Sequence, residues 1–342
     1  MPLKDIHIDI SVAKPTPKTG LGTPLFVIKD TGESPAGDVY GKYSSIEAFK
    51  ADTNFSSIKD NVALNQKLNT LMNQENRPKY FCVLSYATDA TVALNNVWDN
   101  DFYFLLSGDD LTESQAAIVN AVDLKDFKIA VIQTKTIPAL GAYNSKHRVI
   151  EYYQPNDGEH LDAASVGSVG SLTVGSVTWK FKDVKMVTPT PLTQTEMDQI
   201  DAKRAIAFTT KYGHNELTEG WTCYVQGLEA PEYIDDIHGQ DWILTDMTQG
   251  LADLMYNTPK LPYDQRGISA LQATAEITLK RGYDQGIVGI TADGLPAYNV
   301  SALTKEDQDE DDILNRRYRG LQWSYGRSGA IHEVWVQGEI TY

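Results

Sequence analysis

The chain is poor in the residues that build redox and metal chemistry: 342 residues include only 2 cysteines and 6 histidines. Cys82 and Cys223 sit far apart in the strand-like stretches KYFCVLSY and WTCYVQG, with no CxxC pair and no nearby histidine cluster. That excludes a redox dithiol or a thiolate zinc site and leaves two reduced thiols packed as small hydrophobes. The histidines are scattered at 7, 147, 160, 214, 238 and 332, and HExxH does not occur. Cations are scarce as well. Lys and Arg number 30 against 46 Asp and Glu, a formal charge of -16, which repels nucleic-acid phosphates and anionic lipid alike. Neither nucleic acid nor membrane is expected as a primary partner. The opening stretch MPLKDIHIDISVAKPTP interleaves polar residues throughout and lacks the apolar run of a signal peptide or spanning helix, so the protein is expected in the cytoplasm when made. There is no GxSxG elbow, and GLGTPL at 20–25 lacks the third glycine and preceding strand of a dinucleotide fingerprint. Nothing nominates a nucleophile, and no cofactor is expected.

What is present is an ordinary globular composition, 42% apolar and 22% charged, on a chain long enough for roughly two domains. One stretch invites a sharper reading. SVGSVGSLTVGSVTWKFKDV, residues 165–184, places Gly170 and Gly175 at phosphate-loop spacing, but Ser176 and Val177 stand where the lysine and its Ser/Thr belong. A soluble α/β enzyme or ligand-binding protein with a phosphate-type pocket near Gly170 is therefore the alternative reading. The plainer one is a small-residue helix packed on its neighbour, with TWKFKDV leaving as a strand. In YIDDIHGQDW, Asp235, Asp236, His238 and Asp241 could surround a metal if the turn closed tightly, but the same residue types also serve turns and helix caps.

From Pro24 to about Tyr153, near-continuous apolar or β-branched runs (25–29, 79–86, 101–108, 128–135, 147–154) alternate with helical patterns such as NVALNQKLNTLMNQ and TESQAAIVNAVDL, where Thr112 and Gln115 have capping-box spacing. The alternation predicts β-α-β crossovers and a mostly parallel sheet. Pro189 and Pro191 mark the expected domain break. Beyond it, TEMDQIDAKRAIAFTTKY predicts one helix, Trp242–Tyr256 another with Asp241 as N-cap, and Gln265–Lys280 a third ended by Gly282. The acidic stretch KEDQDEDD, 305–312, reads as a solvated loop able to meet Arg316, Arg317 and Arg319, in the same chain or a neighbour.

The two ends have the clearest patterns. IHIDISVA puts Ile6, Ile8, Ile10 and Val12 on one face, and HEVWVQGEITY puts Val334, Val336, Ile340 and Tyr342 opposite Glu333, Trp335, Gln337 and Glu339. Both are period-two strands. They can pair within their own subunit. The Pro/Gly tether KPTPKTGLGTP, 14–24, equally lets the first strand add to a neighbour's sheet edge. About five hydrogen bonds at ~1 kcal/mol net and four aliphatics at ~1.5 kcal/mol give roughly 10 kcal/mol, close to the cost of ordering about eight residues. One exchanged strand is marginal; two per subunit, repeated through a lattice, lock an assembly.

VGSVTWKFKDV, GLEAPEYIDDIHGQDWILTDMTQGLADLMYN, KLPYDQRGISALQATAEITLKRGYDQGIV and SGAIHEVWVQGEITY, in this order and spacing from about residue 165 to the end, resemble the contractile phage tail sheath family, in its compact form from myophages or phage-derived particles. The resemblance implies α/β and α+β architecture in two domains: a strand arm and linker (1–23), an outer α/β domain with a mostly parallel sheet (24–188), and an inner mixed α+β sheath domain (189–342) ending in an exchange strand. It implies β-augmentation between subunits through Ile6, Ile8, Ile10, Val12, Val334, Trp335, Val336, Ile340 and Tyr342. Asp241, Gln265, Lys280, Arg316, Arg317 and Arg319 become possible tube-facing or interface residues. The implied role is structural, without catalysis: a helical sheath in a virion tail, assembled in the host cytoplasm from like subunits with tube, baseplate and tail terminator proteins. It contracts by subunit repacking to drive the tube through the host envelope for genome ejection. The glycines at 167, 170 and 175 then serve packing and turns.

Overall fold

A computed structural model describes residues 21–32, 37–223 and 232–338. The apolar runs become strands: β1 (Pro24–Lys29), β2 (Val39–Tyr43), β3 (Phe81–Tyr86), β4 (Phe104–Ser107), β5 (Ile129–Thr134), β6 (Val149–Tyr153), β7 (Ile206–Lys211) and β8 (His214–Leu217). They form one sheet in the order β2-β3-β1-β4-β5-β6-β7-β8, parallel from β3 through β7, with β2 and β8 antiparallel at the edges.

The continuity of those runs has a physical cause, because both faces of the sheet are covered. Phe26 and Ile28 of β1 enter one apolar core and Leu25 and Val27 the other. Helices α2 (Val62–Met72) and α5 (Leu161–Val169) cover the first face. Helices α3 (Ala90–Val97) and α4 (Thr112–Lys125) cover the second, and the short α1 (Ile46–Ala51) precedes α2. Asn61 and Asp89 cap α2 and α3 through their side chains. The expected Thr112–Gln115 capping box does not form. Leu111 holds the N-cap of α4, and Asp109 Oδ1 accepts from the Leu111 N–H at 3.1 Å instead.

The sheet does not stop at Pro189. β7 and β8 lie beyond it, yet β7 pairs in parallel with β6 at Tyr152–Ile206 and Tyr153–Ala207. The single helix expected over 195–212 divides into α6 (Gln194–Ala202), opened by a Thr193–Glu196 capping box, and strand β7. Arg204, at φ 56°, turns the chain between them, and the alternation of Ile206 and Phe208 then favours a strand. TWKFKDV is not a strand either. It gives β8 two backbone bonds, Phe181 N–H to Leu217 O and Leu217 N–H to Lys182 O, but Phe181 at φ 66° breaks the extension. Trp179 is buried against Phe104, ring centroids 5.5 Å apart.

Helix α7 (Ile234–Asn257) packs along α8 (Gln265–Asp284). α7 begins seven residues before Asp241, which is therefore an interior position and no N-cap. Gly282 lies inside α8, where a Cβ would stand 2.5 Å from Ile243 Cδ1, and the left-handed Gly286 at φ 87° follows the helix end. A second sheet pairs β9 (Tyr298–Ala302) antiparallel with β10 (Leu321–Tyr325), with the five-residue α9 (Glu310–Leu314) between them. One core cluster runs from Phe26 and Ile150 through Trp179 to Ile243, Leu279 and Val288.

Candidate assembly interface

The β9–β10 pair alternates strictly. Tyr298 and Val300 with Leu321, Trp323 and Tyr325 lean on the core beside α8, while Asn299, Ser301, Gln322 and Ser324 face outward. Trp323 and Tyr325 stack at 6.1 Å. Two five-residue strands form a marginal sheet, and among the described residues neither outer edge is paired in a ladder. On the β9 edge Tyr298 N–H donates to Pro296 O and Val300 O accepts from Gln272 Nε2–H, while among the described residues no ladder runs along either edge, where a further strand could add.

The chain then leaves the body. Val288 and Arg327 form an isolated bridge and Ser328 N–H donates to Ile287 O at 3.0 Å. Beyond this, Val334, Trp335 and Val336 are 75, 86 and 86% exposed. The period-two pattern at this end is thus not used for a strand among the described residues of its own subunit. Ile340 and Tyr342, and at the other end Ile6, Ile8, Ile10 and Val12, lie outside the described residues.

Leu21, Gly22 and Thr23, where the described residues begin, are built into the core. His238 Nε2–H donates to Leu21 O at 2.6 Å, Ser171 Oγ–H to Gly22 O at 3.3 Å, and Tyr103 N–H to Thr23 O at 2.7 Å. His238 stacks on Tyr103 at 4.8 Å, and burial pushes its pKa down to about 4. Three residues along α7, Asp241 Oδ2 accepts from Tyr103 Oη–H and from Arg148 Nη1–H, each at 2.7 Å, while Arg148 Nε–H donates to Asp126 at 2.8 Å. Burial pushes the Asp241 carboxyl up, against the opposing pull of Arg148. This ion pair clamps α7 to the large sheet. It also corrects the sequence expectation for Asp241, which at 0% side-chain exposure cannot face a tube or a neighbour.

The remaining expected interface residues are exposed but not gathered. Gln265 and Lys280 lie on the outer face of α8, 15 residues or ~22 Å apart, and Lys280 pairs with Asp284 at 2.8 Å. Arg317 and Arg319 both reach Asp312, at 3.0 and 3.3 Å, so the acidic stretch meets its arginines within the chain. Arg316 is exposed at φ 55°. Tyr263 Oη–H donates to Arg317 O at 2.8 Å, setting this loop beside the start of α8.

The phosphate-pocket alternative fails on geometry. Gly170 caps the C-terminal end of α5, where the helix dipole is negative and repels a phosphate. A Cβ there would meet Val166 O at 2.7 Å and Phe104 Cε2 at 2.9 Å, so the position is packing and not a cradle. Nor do the four residues of YIDDIHGQDW converge. His238 and Asp241 face the core with separate partners, while Asp236 meets Arg327 at 3.5 Å. His238, which sequence patterning offers as a metal ligand, instead holds the Leu21 carbonyl, and His332, which meets Thr178, was not picked out at all, since a lone histidine has no spacing signature.

No family model matches the chain, and no curated protein matches it. Solved structures do. A chain of the anti-feeding prophage baseplate, 6-fold symmetrised, superposes with a TM-score of 0.70 at 17% identity, covering 100% of this chain and 99% of that one. The sheath complex of an extracellular contractile injection system in its contracted state gives 0.71 at 12% identity, covering 98% and 96%. A sheath tail protein from Listeria innocua gives 0.57 at 11% identity, covering 84% and 89%. The chain therefore has the fold found in contractile sheath proteins, over nearly its whole length.

Proposed function

We propose that this chain is the structural subunit of a contractile sheath: copies exchange terminal strands, build a helical sleeve around a tail tube, and shorten it by repacking against one another. The observation that carries the reading is the pairing of a donor with an acceptor in one subunit of sheath fold. The donor is the exposed Val334–Val336 stretch. The acceptor is the two-stranded β9–β10 sheet with unpaired edges. Adding strands to such edges satisfies backbone groups and buries alternate side chains. The work of shortening comes from better interfaces in the short state and requires no catalytic residue.

In this reading the division of labour follows the two sheets, with the large α/β sheet outward and α7, α8 and β9–β10 inward. Arg316 offers positive charge to tube or neighbouring subunits, and Lys280, Arg317 and Arg319 would do so by exchanging Asp284 and Asp312 for a partner's carboxylate. Baseplate and tail terminator proteins close the two ends of the sleeve. The setting is the tail of a phage, or of a phage-derived injection particle, assembled in the host cytoplasm. Negative-stain microscopy of purified protein tests it: ringed tubes are expected, and deletion of residues 1–13 should leave folded subunits that do not polymerise. Intact tubes from that deletion would overturn the exchange of the N-terminal strand.

A further inference from the structure

The C-terminal stretch is exposed almost throughout, with one exception. His332 has a side chain only 10% exposed, in a run whose neighbours Ile331, Val334, Trp335 and Val336 are 75% exposed or more. Its seat is assembled from three separate places. Nε2 hydrogen-bonds Thr178 Oγ1 at 2.8 Å, Nδ1 lies 3.7 Å from Glu219 Oε2, and the ring meets Tyr233 edge-on at 4.9 Å and Phe181 at 6.3 Å. Glu219 is itself held by Lys180. Ser328 is the last residue of this stretch with a backbone hydrogen bond to another described residue. From there to residue 338, His332 makes the side-chain hydrogen bond to the body.

We propose that His332 is a positioning residue for assembly: a peg in the Thr178–Glu219–Tyr233 seat that fixes where the C-terminal arm leaves its parent subunit and presents Val334–Val336 already aimed at a second copy of this chain. This rests on the strand-exchange reading above. Seven residues separate Ser328 from Trp335, but only three separate His332 from it. The local concentration of a tethered segment falls with about the three-halves power of its free length, so losing the peg lowers it ~4-fold per arm.

The test uses full-length protein in two assays. In light scattering, His332→Ala is expected to slow tube formation about 4-fold, His332→Gln to restore most of the rate by bonding Thr178, and Thr178→Val to add little to His332→Ala. In subunits kept below the assembly concentration, a nitroxide at position 337 of a Gln337→Cys variant is expected to become more mobile with His332→Ala and not with His332→Gln. Cys82 and Cys223 are buried and leave the label to that site. An unchanged nitroxide spectrum, or equal assembly rates for His332→Ala and wild type, would overturn the peg. Absence of tubes from wild-type protein would instead overturn the sheath reading, and the nitroxide assay would still judge the peg.

Discussion

Replacing Val334 and Val336 together with serine probes the exchange without touching the fold. The two valines share one face of an extended strand, with Trp335 on the other. In the free subunit they are 75 and 86% exposed, so the substitution removes nothing that the isolated chain has buried. On pairing with a second copy, each valine gains ~1.5 kcal/mol from burial, or ~3 kcal/mol per arm. If, as proposed, every subunit entering a lattice donates one such arm, the critical concentration for tube growth should rise by about 150-fold at ~1.4 kcal/mol per decade. Pelleting of tubes across a concentration series reads this directly, and urea unfolding of the unassembled protein serves as the control. An unchanged critical concentration would refute the reasoning. A clear loss of subunit stability would refute it differently, by showing that the valines are already buried at home.

Two other perturbations address the body. Asp241→Asn removes the buried partner of Arg148 and leaves it only the half-exposed Asp126, which should cost ~3 kcal/mol in urea unfolding, whereas an exposed ion pair such as Lys280–Asp284 should contribute under ~1 kcal/mol. His238 is held neutral with its pKa pushed to about 4, while the unfolded chain binds that proton near 6.5. Its contribution therefore falls as pH drops from about 6.5 to about 4, by ~3 kcal/mol in all. Asp201 and Asp235, each pushed up to about 6 by burial, act in the opposite sense over the same range. The measurement is accordingly the pH dependence of wild type minus that of His238→Gln, and a flat difference would refute the assignment.

Strands β1 and β3 to β6 were legible because burial on both faces imposes long apolar runs, whereas the edge strands β2 and β8 carry no such run. The helices flanking them were legible from period alone. Sequence patterning misplaced the start of α7 for a reason visible in the packing. His238 and Asp241 read as cap or turn formers, but they are inward residues whose Nε2–H and Oδ2 meet Leu21, Tyr103 and Arg148, all more than 90 positions away. No local rule reveals such partners. β7 was hidden because AIAFTTK follows a strong helix start with no glycine or proline between them. Conversely, TWKFKDV looked extended, and only the left-handed Phe181 prevents it. The period-two C-terminal pattern predicts a strand, but among the described residues Val334–Val336 form none; period states which residues share a face and not which edge receives them.

The core that runs without a break from β1 to Val288 has a mechanical consequence. A subunit with separately packed halves could bend at the seam under load, whereas this one must move as a single brick. If a column of such subunits shortens as proposed, the geometry that changes has to change at the joints between bricks and not within the masonry.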